Sequence, residues 1–279
     1  MNVIRAEFAG ACYGVQRALD LALASVEGGG RAYTLGPLIH NPQVVSELAE
    51  RGVSAVGDTS EVQGEGTVII RSHGVTPAVK RSVAETGLPL VDATCPHVMR
   101  AQKAAAALAS QGRHVVVVGE AGHPEVEGLV AYAREAGGTV SVVAKPDDLP
   151  ACIADQVGIV VQTTQTRGAL DAIVTALEAR GIEPVVKNTI CFATSQRQEA
   201  AADLADSVDA IVVIGGRNSS NTTRLADICA AACPRAFHVE TPGELDPAWF
   251  EGCATVGVTA GASTPEDQIE AVVARLEAL

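Results

Sequence analysis

The sequence predicts a parallel α/β protein, and three observations predict it. Short β-branched runs alternate with longer Ala-rich or amphipathic runs along all 279 residues, the pattern of strands joined by crossover helices. Hydrophobic residues make up 47% of the chain and aromatics only 3%. Ala, Val, Leu and Ile must therefore fill the core, as they do where β-branched strands are covered by Ala- and Leu-rich helices. Most polar motifs fall just after the apolar runs, and open parallel sheets bind ligands beyond the carboxyl ends of their strands.

Taken in order, strands are expected at Val3–Ala6, Arg31–Leu35, Thr67–Arg71, Leu88–Val91, His114–Val118, Thr139–Val143, Gly158–Gln162, Glu183–Val186, Ala210–Ile214, Ala236–Val239 and Thr255–Thr259. Each is a short apolar run bounded by polar residues, Gly or Pro. Helices are expected from near Val15, Pro42, Pro77, Arg100, Pro124, Gly168, Ser195, Ser220, Gly243 and Thr264. Several open at Pro, whose fixed φ and missing N–H suit a first helical position. Val56–Gly66 reads as a polar, Gly-rich loop. The length suggests roughly two domains, and three small ones also fit. Cysteine-bearing elements divide the chain into similar segments: 1–95, with the N-terminal strand and Cys12, then 96–187 and 188–279.

A net charge of −13 argues against nucleic acid as a partner, because phosphate-backbone binding needs a basic face. An anionic small substrate must then be held by local groups rather than by the overall field. No basic segment followed by a long apolar one opens the chain, and no run approaches the roughly 20 apolar residues of a membrane span. The seven cysteines are odd in number and not densely spaced. A reducing, cytoplasmic setting is expected, with some thiols as ligands and others packed.

Cys12, Cys95 and Cys191 lie in Ala-Gly-Ala-Cys-Tyr-Gly-Val, Asp-Ala-Thr-Cys-Pro and Asn-Thr-Ile-Cys-Phe-Ala-Thr. Each sits between an apolar run and a helical run, where a helix N-terminus favours the metal-binding thiolate. Three thiolates fit three corners of a cubane cluster, with the fourth iron open to a substrate. The competing reading is that they are small buried hydrophobes. That reading is preferred for Cys152, Cys229, Cys233 and Cys253, although Cys229 and Cys233 stand one helical turn apart and also suit a metal. A closed structural zinc site would normally need four ligands.

His40, His73 and His123 each occupy a strand-to-helix turn beside Gly, Asn or Pro, where imidazoles and helix N-terminal N–H groups can bind phosphate. His114 and His238 read as structural, and His97 has no assigned role. Gly215-Gly216-Arg217-Asn218-Ser219-Ser220-Asn221 has a phosphate-cradle composition: Gly permits close backbone approach, and hydroxyls and amides donate. A simple Ser or Asn N-cap explains only one of these residues. Gly261–Pro265 repeats the logic, and a capping box of Ser263 with Glu266 is its structural alternative. Glu125 is the candidate acid, since a closed cavity favours the protonated carboxyl. The alternative is an ordinary first-turn helix acid, and Glu120 and Glu127 are its rivals. Gln162–Thr166 offers hydroxyls with capping as the default role.

Together these elements resemble the LytB/IspH family of 4-hydroxy-3-methylbut-2-enyl diphosphate reductases. The resemblance runs through Gly10–Ala18, Ile39-His40-Asn41, Arg71–Val75, Asp92–Pro96, Gly122–Gly128, Gln162-Thr163-Thr164, Thr189-Ile190-Cys191, Arg197–Ala200, Asn218–Asn221 and Thr259–Ser263. It implies three small parallel-sheet α/β domains in a trefoil around a central [4Fe-4S] cluster held by Cys12, Cys95 and Cys191, with one open iron. It implies that His40, His73, His123, Ser219, Ser220, Asn221 and Ser263 bind the diphosphate. Glu125 matches the proton-delivery acid, and Thr163 the hydroxyl near the substrate alcohol.

The implied reaction removes an allylic hydroxyl with two electrons and two protons, giving isopentenyl and dimethylallyl diphosphates plus water. No flavin or nicotinamide fingerprint is evident, so an external one-electron donor such as ferredoxin or flavodoxin is expected. Ala11 stands where the family often has an aromatic residue, and His97 and Met99 where it often has apolar and basic ones. A paralogue acting on another allylic substrate is one alternative, and a non-catalytic iron–sulfur sensor is another.

Overall fold

The computed structural model describes residues 1–62 and 64–279, so Gln63 of the expected Val56–Gly66 loop lies outside it. The described chain forms three four-stranded sheets whose neighbouring strands are all parallel. It clusters into two compact units, one of residues 1–16, 40–44 and 192–279, the other of residues 17–39 and 45–191.

The second unit contains two of the sheets. One has the order β3-β2-β4-β5, from β2 (Ala32–Leu35), β3 (Val53–Val56), β4 (Thr67–Ile70) and β5 (Leu90–Asp92). The other has the order β7-β6-β8-β9, from β6 (His114–Val118), β7 (Val140–Val143), β8 (Val157–Val161) and β9 (Val185–Lys187). The first unit contains β1 (Asn2–Arg5), β10 (Ala210–Ile214), β11 (Ala236–Val239) and β12 (Thr255–Ala260), in the order β1-β12-β10-β11. The chain's first strand thus pairs with its last, Val3 opposite Val256. Central strands β8 and β10, read as Val-Gly-Ile-Val-Val and Ala-Ile-Val-Val-Ile, are buried throughout. Continuous apolar runs are what burial on both faces of a parallel sheet requires.

The helices are α1 (Tyr13–Ala24), α2 (Pro42–Glu50), α3 (Pro77–Glu85), α4 (Pro96–Ser110), α5 (Pro124–Glu135), α6 (Arg167–Glu178), α7 (Phe192–Ala205), α8 (Ser220–Ala232) and α9 (Glu266–Glu277). Side-chain caps start several of them. Thr76, Thr166 and Ser219 accept from Val79 N, Ala169 N and Thr222 N, satisfying N–H groups that a helix start leaves open.

Two expectations change. β3 is a strand that the sequence reading assigned none of: Ser54 and Ala55 break its β-branched run, and only Val53 of its four residues is buried. No α-helix forms near Gly243. Two short 3-10 turns, Pro242–Glu244 and Pro247–Phe250, replace it, because Pro247 lacks an N–H and disfavours helical backbone at Asp246. The helix expected near Arg100 begins earlier, at Pro96, and the one near Ser195 begins at Phe192.

The three sheets share one plan. In each, the chain leaves a central strand, adds a strand on one side, then returns to pair on the other. The switch points therefore fall between β2 and β4, β6 and β8, and β10 and β12. Loops diverge there and open a crevice at the strand ends. Each sheet also ends in an edge strand followed by a motif cysteine: β1 before Cys12, β5 before Cys95 and β9 before Cys191.

Candidate functional site

In the second unit, the switch point between β6 and β8 joins Glu125 to Thr163. Glu125 is only 1% exposed. Its Oε1 accepts from Thr163 N at 2.6 Å and its Oε2 from Thr163 Oγ1 at 2.8 Å. A capped helix start fixes the acid: His123 Nδ1 accepts from Glu125 N at 3.1 Å. With Nδ1 accepting, Nε2 is the nitrogen that carries the proton in a neutral ring.

The His123 ring meets the His73 ring edge-on, with centroids 5.7 Å apart. His73 follows Ser72, whose carbonyl accepts from Cys95 N at 2.9 Å. On the other side, the Thr163 carbonyl accepts from Cys191 N, also at 2.9 Å. Cys95, His73, His123, Glu125, Thr163 and Cys191 are thus linked by a continuous series of short contacts. Gln162 supports it, fully buried, accepting from Glu120 N and donating to Thr164 Oγ1. Thr166 takes the capping role expected of this segment, which frees Thr163 for Glu125.

In the first unit, the switch point between β10 and β12 holds the Gly215–Asn221 turn. Gly261 N donates to Ile214 O, and Thr264 Oγ1 donates to the same carbonyl. Gly215 has a φ of +139°, backbone that disfavours any side chain. A Cβ on Gly216 would lie 2.7 Å from both the His40 carbonyl and Asn218 Oδ1. Ser219 caps α8, leaving Ser220 and Asn221 in its first turn. The Asn221 amide is buried, and neither its nitrogen nor its oxygen has a hydrogen-bond partner. A buried amide in that state calls for a ligand or water, since desolvation without a partner is costly.

Ser263 Oγ donates to His40 O at 3.1 Å. The Ser263–Glu266 capping box is therefore not formed: α9 starts at Glu266 with no side-chain cap, and Glu266 instead pairs with Arg5. Cys12 joins the same wall, its N–H donating to Ala262 O at 3.1 Å.

Sequence reasoning passed over Asn41. Its Oδ1 caps α2 at Val44 N, while its Nδ2 reaches Ser263 O and Gln268. Asn directly before Pro42 at a helix start was the available signal. Arg217 lies outside the cradle, exposed and paired with Glu240 and Glu244.

The cysteines divide by environment. None of the seven is in a disulfide. Cys229 and Cys233 are buried in an apolar cluster; burial, then Cys233, pushes the Cys229 thiol up to about 12. Such a thiol stays protonated at neutral pH and packs as a small apolar side chain. Cys253 is partly buried against the core of its sheet. Cys152 corrects the packing expectation: it is exposed, in a loop that no apolar element covers. Cys12, Cys95 and Cys191 are half-buried at helix starts, the setting that suits thiolate ligands. Among the described residues, no three His, Cys, Asp or Glu side chains are arranged around a single metal ion. A cubane differs, since each of its irons takes its own thiolate.

The family described as LytB protein matches residues 3–277 of this chain. The chain belongs to the LytB family. A relative from Geobacter sp. (strain M21), named 4-hydroxy-3-methylbut-2-enyl diphosphate reductase, is 51% identical over 100% of this chain and 98% of its own. The LytB relative of the same name from Geobacter sulfurreducens is 47% identical over 99% and 97%. A solved (E)-4-hydroxy-3-methyl-but-2-enyl diphosphate reductase, described as the terminal enzyme of the non-mevalonate pathway, is 44% identical, covers both chains fully and has a TM-score of 0.73. The Plasmodium falciparum reductase structure, at 24% identity, covers 98% of this chain and 87% of its own, with a TM-score of 0.89. It establishes that the LytB fold persists at low identity.

Proposed function

We infer that this chain reduces 4-hydroxy-3-methylbut-2-enyl diphosphate, and that it stands at the end of the non-mevalonate route to isoprenoids. The observation that carries this reading is identity of 46–51% to proteins of that name along nearly the full length of both chains. The coupling of Glu125 to Thr163 in a buried switch point supports it. The reaction is R–OH plus two electrons and two protons to R–H plus water, with the allylic C–O bond broken.

Cys12, Cys95 and Cys191 would hold a [4Fe-4S] cluster, which when bound supplies the electrons and a Lewis-acidic open iron. The contrast between these half-buried thiols and the buried Cys229 pair is what makes the donor set fit. Thr163 Oγ1 donates to Glu125 Oε2; with Glu125 protonated that bond would reverse, and the Thr163 hydroxyl would be free to donate to the leaving oxygen of a substrate alcohol bound beside it. His40, His73, His123, Ser219, Ser220, Asn221 and Ser263 would bind the diphosphate. The Asn221 amide and the α8 N-terminus would supply donors that the acidic chain as a whole does not. Holding the diphosphate fixes the short carbon chain in place for C–O cleavage. The division 1–95, 96–187 and 188–279 belongs to the same proposal, as does an external one-electron donor. Among the described residues no helix is long and apolar enough to cross a membrane.

Anaerobically prepared protein, given the substrate and a one-electron reductant, should form isopentenyl and dimethylallyl diphosphates. Intact substrate after incubation of cluster-loaded protein would overturn the reading.

A further inference from the structure

Three arginines recur five or six residues after the three motif cysteines, in helices α1, α4 and α7. Each lies in the helix that follows one motif cysteine, and each donates to backbone carbonyls just ahead of another. Arg17, in α1 after Cys12, donates from Nη1 to Thr94 O at 3.2 Å and from Nη2 to Asp92 O at 3.3 Å. Those carbonyls lead directly into Cys95. Arg100, in α4 after Cys95, donates to Asn188 O at 3.5 Å, ahead of Cys191. Arg197, in α7 after Cys191, donates from Nε and Nη2 to Gly10 O at 3.1 and 2.8 Å, ahead of Cys12. Its third nitrogen, Nη1, holds Ala193 O at 2.8 Å in its own helix, and the side chain is buried. Each arginine thus reaches the backbone ahead of a different cysteine from the one it follows.

The charge distribution singles out the same segments. The chain carries 33 Asp and Glu residues, yet none falls within 8–19, 93–119 or 184–198, the stretches around the three cysteines. The arginines in these windows suit an anionic set of thiolates, although the Asp92 carboxylate lies just before the second window and accepts from Thr94 N beside Cys95. Ordinary carbonyl capping does not require them, because a neutral side chain can cap a strand end.

We propose that Arg17, Arg100 and Arg197 are the positioning residues of the three cysteine turns. Each guanidinium fixes the backbone that leads into the next thiol. This rests on the reading of those cysteines as cluster ligands. The bonds rank the effects. Arg197 is buried with a forked grip on one carbonyl. Arg17 spans two carbonyls. Arg100 is exposed and its bond lies at the limit of hydrogen-bond length.

The test compares anaerobically reconstituted wild type with R197Q, R17Q, R100Q, R197K and R17K. It follows iron loss to an excess of an iron(II) chelator, and the electron paramagnetic resonance spectrum of the reduced protein. R197Q and R17Q should lose iron roughly 10-fold faster, as expected for removal of groups that orient metal ligands, with altered spectra. R100Q should show the smallest increase. The Lys variants, which keep charge but not the fork, should recover only part of the retention. Full recovery by Lys would show that charge alone acts and would overturn positioning. So would wild-type retention and spectra in R197Q and R17Q, with folding verified by circular dichroism. If R197Q fails to fold, R17Q decides. Wild type that takes up no iron–sulfur cluster would defeat the ligand reading itself, a result distinct from unchanged arginine variants on a loaded protein.

Discussion

Glu125 and Thr163 form a two-point pair. A buried carboxyl that accepts from both the N–H and the hydroxyl of one residue is held in a single orientation. E125Q preserves the shape and removes the acid. Turnover should fall by at least about 10²-fold, the usual contribution of a general acid, while substrate still binds with the cluster intact. Glu127, two residues on and on another side of α5, is exposed, and E127Q should change turnover far less. Wild-type turnover of E125Q under saturating reductant would place the acid elsewhere. Asn221 carries the matching claim for binding. N221A should weaken substrate affinity by about 1–3 kcal/mol, the range for a hydrogen bond to a charged group. Calorimetry on cluster-loaded protein measures it, and unchanged affinity would remove Asn221 from the cradle.

Secondary-structure ends, more than interiors, decide where these residues stand. The cradle turn needs Gly216 because the His40 carbonyl and Asn218 Oδ1 fill the space of a side chain. G216A forces the turn apart, and overpacking of this kind costs about 1–3 kcal/mol. Substrate affinity should drop along with the melting temperature. A fall in melting temperature without a change in affinity would show that the turn serves stability alone. Capping offers a control in the second unit. T166A removes the α6 cap and should cost about 1 kcal/mol in a denaturant melt, with little effect on the Glu125–Thr163 pair. The mid-strand apolar runs were legible in the sequence because burial on both faces leaves no polar alternation. β3 was not, since Ser54 and Ala55 break its β-branched run and only Val53 is buried.

At the scale of the whole molecule, the charge of −13 makes pH a probe. Asp92 shows how the sign runs. Burial pushes its carboxyl up, but hydrogen bonds from Thr94 and Lys80 outweigh that and hold it below 3.8. A carboxyl depressed in the folded state stabilises fully above its unfolded value. That stabilisation disappears as pH falls through the folded value. K80M removes one of the depressing contacts, so acid unfolding should begin at a higher pH. Solvent screening of this half-exposed pair keeps the effect to about 0.5–1 kcal/mol. An unchanged acid-unfolding midpoint would show that Thr94 alone sets the carboxyl. Iron provides the other whole-molecule test. Anaerobic protein should hold about four irons per chain, as a cubane requires. A colourless protein that binds only zinc and cannot be reconstituted would defeat the cluster.

The sequence by itself determined the parallel α/β class, most strand positions and the grouping of polar residues after strands. These follow from local periodicity and from the burial of continuous apolar runs. Its motifs also singled out Cys12, Cys95, Cys191, Glu125 and the Gly215–Asn221 turn. Only the tertiary structure decided that β1 closes a sheet with β12, that Ser263 serves the His40 carbonyl instead of capping α9, and that Glu125 grips Thr163. It likewise revealed Arg17, Arg100 and Arg197 reaching backbone ahead of a different cysteine from the one they follow. The reason is physical. Propensity and patterning act over a few neighbouring residues, whereas these contacts join residues far apart in the chain, where packing chooses among several chemically adequate partners.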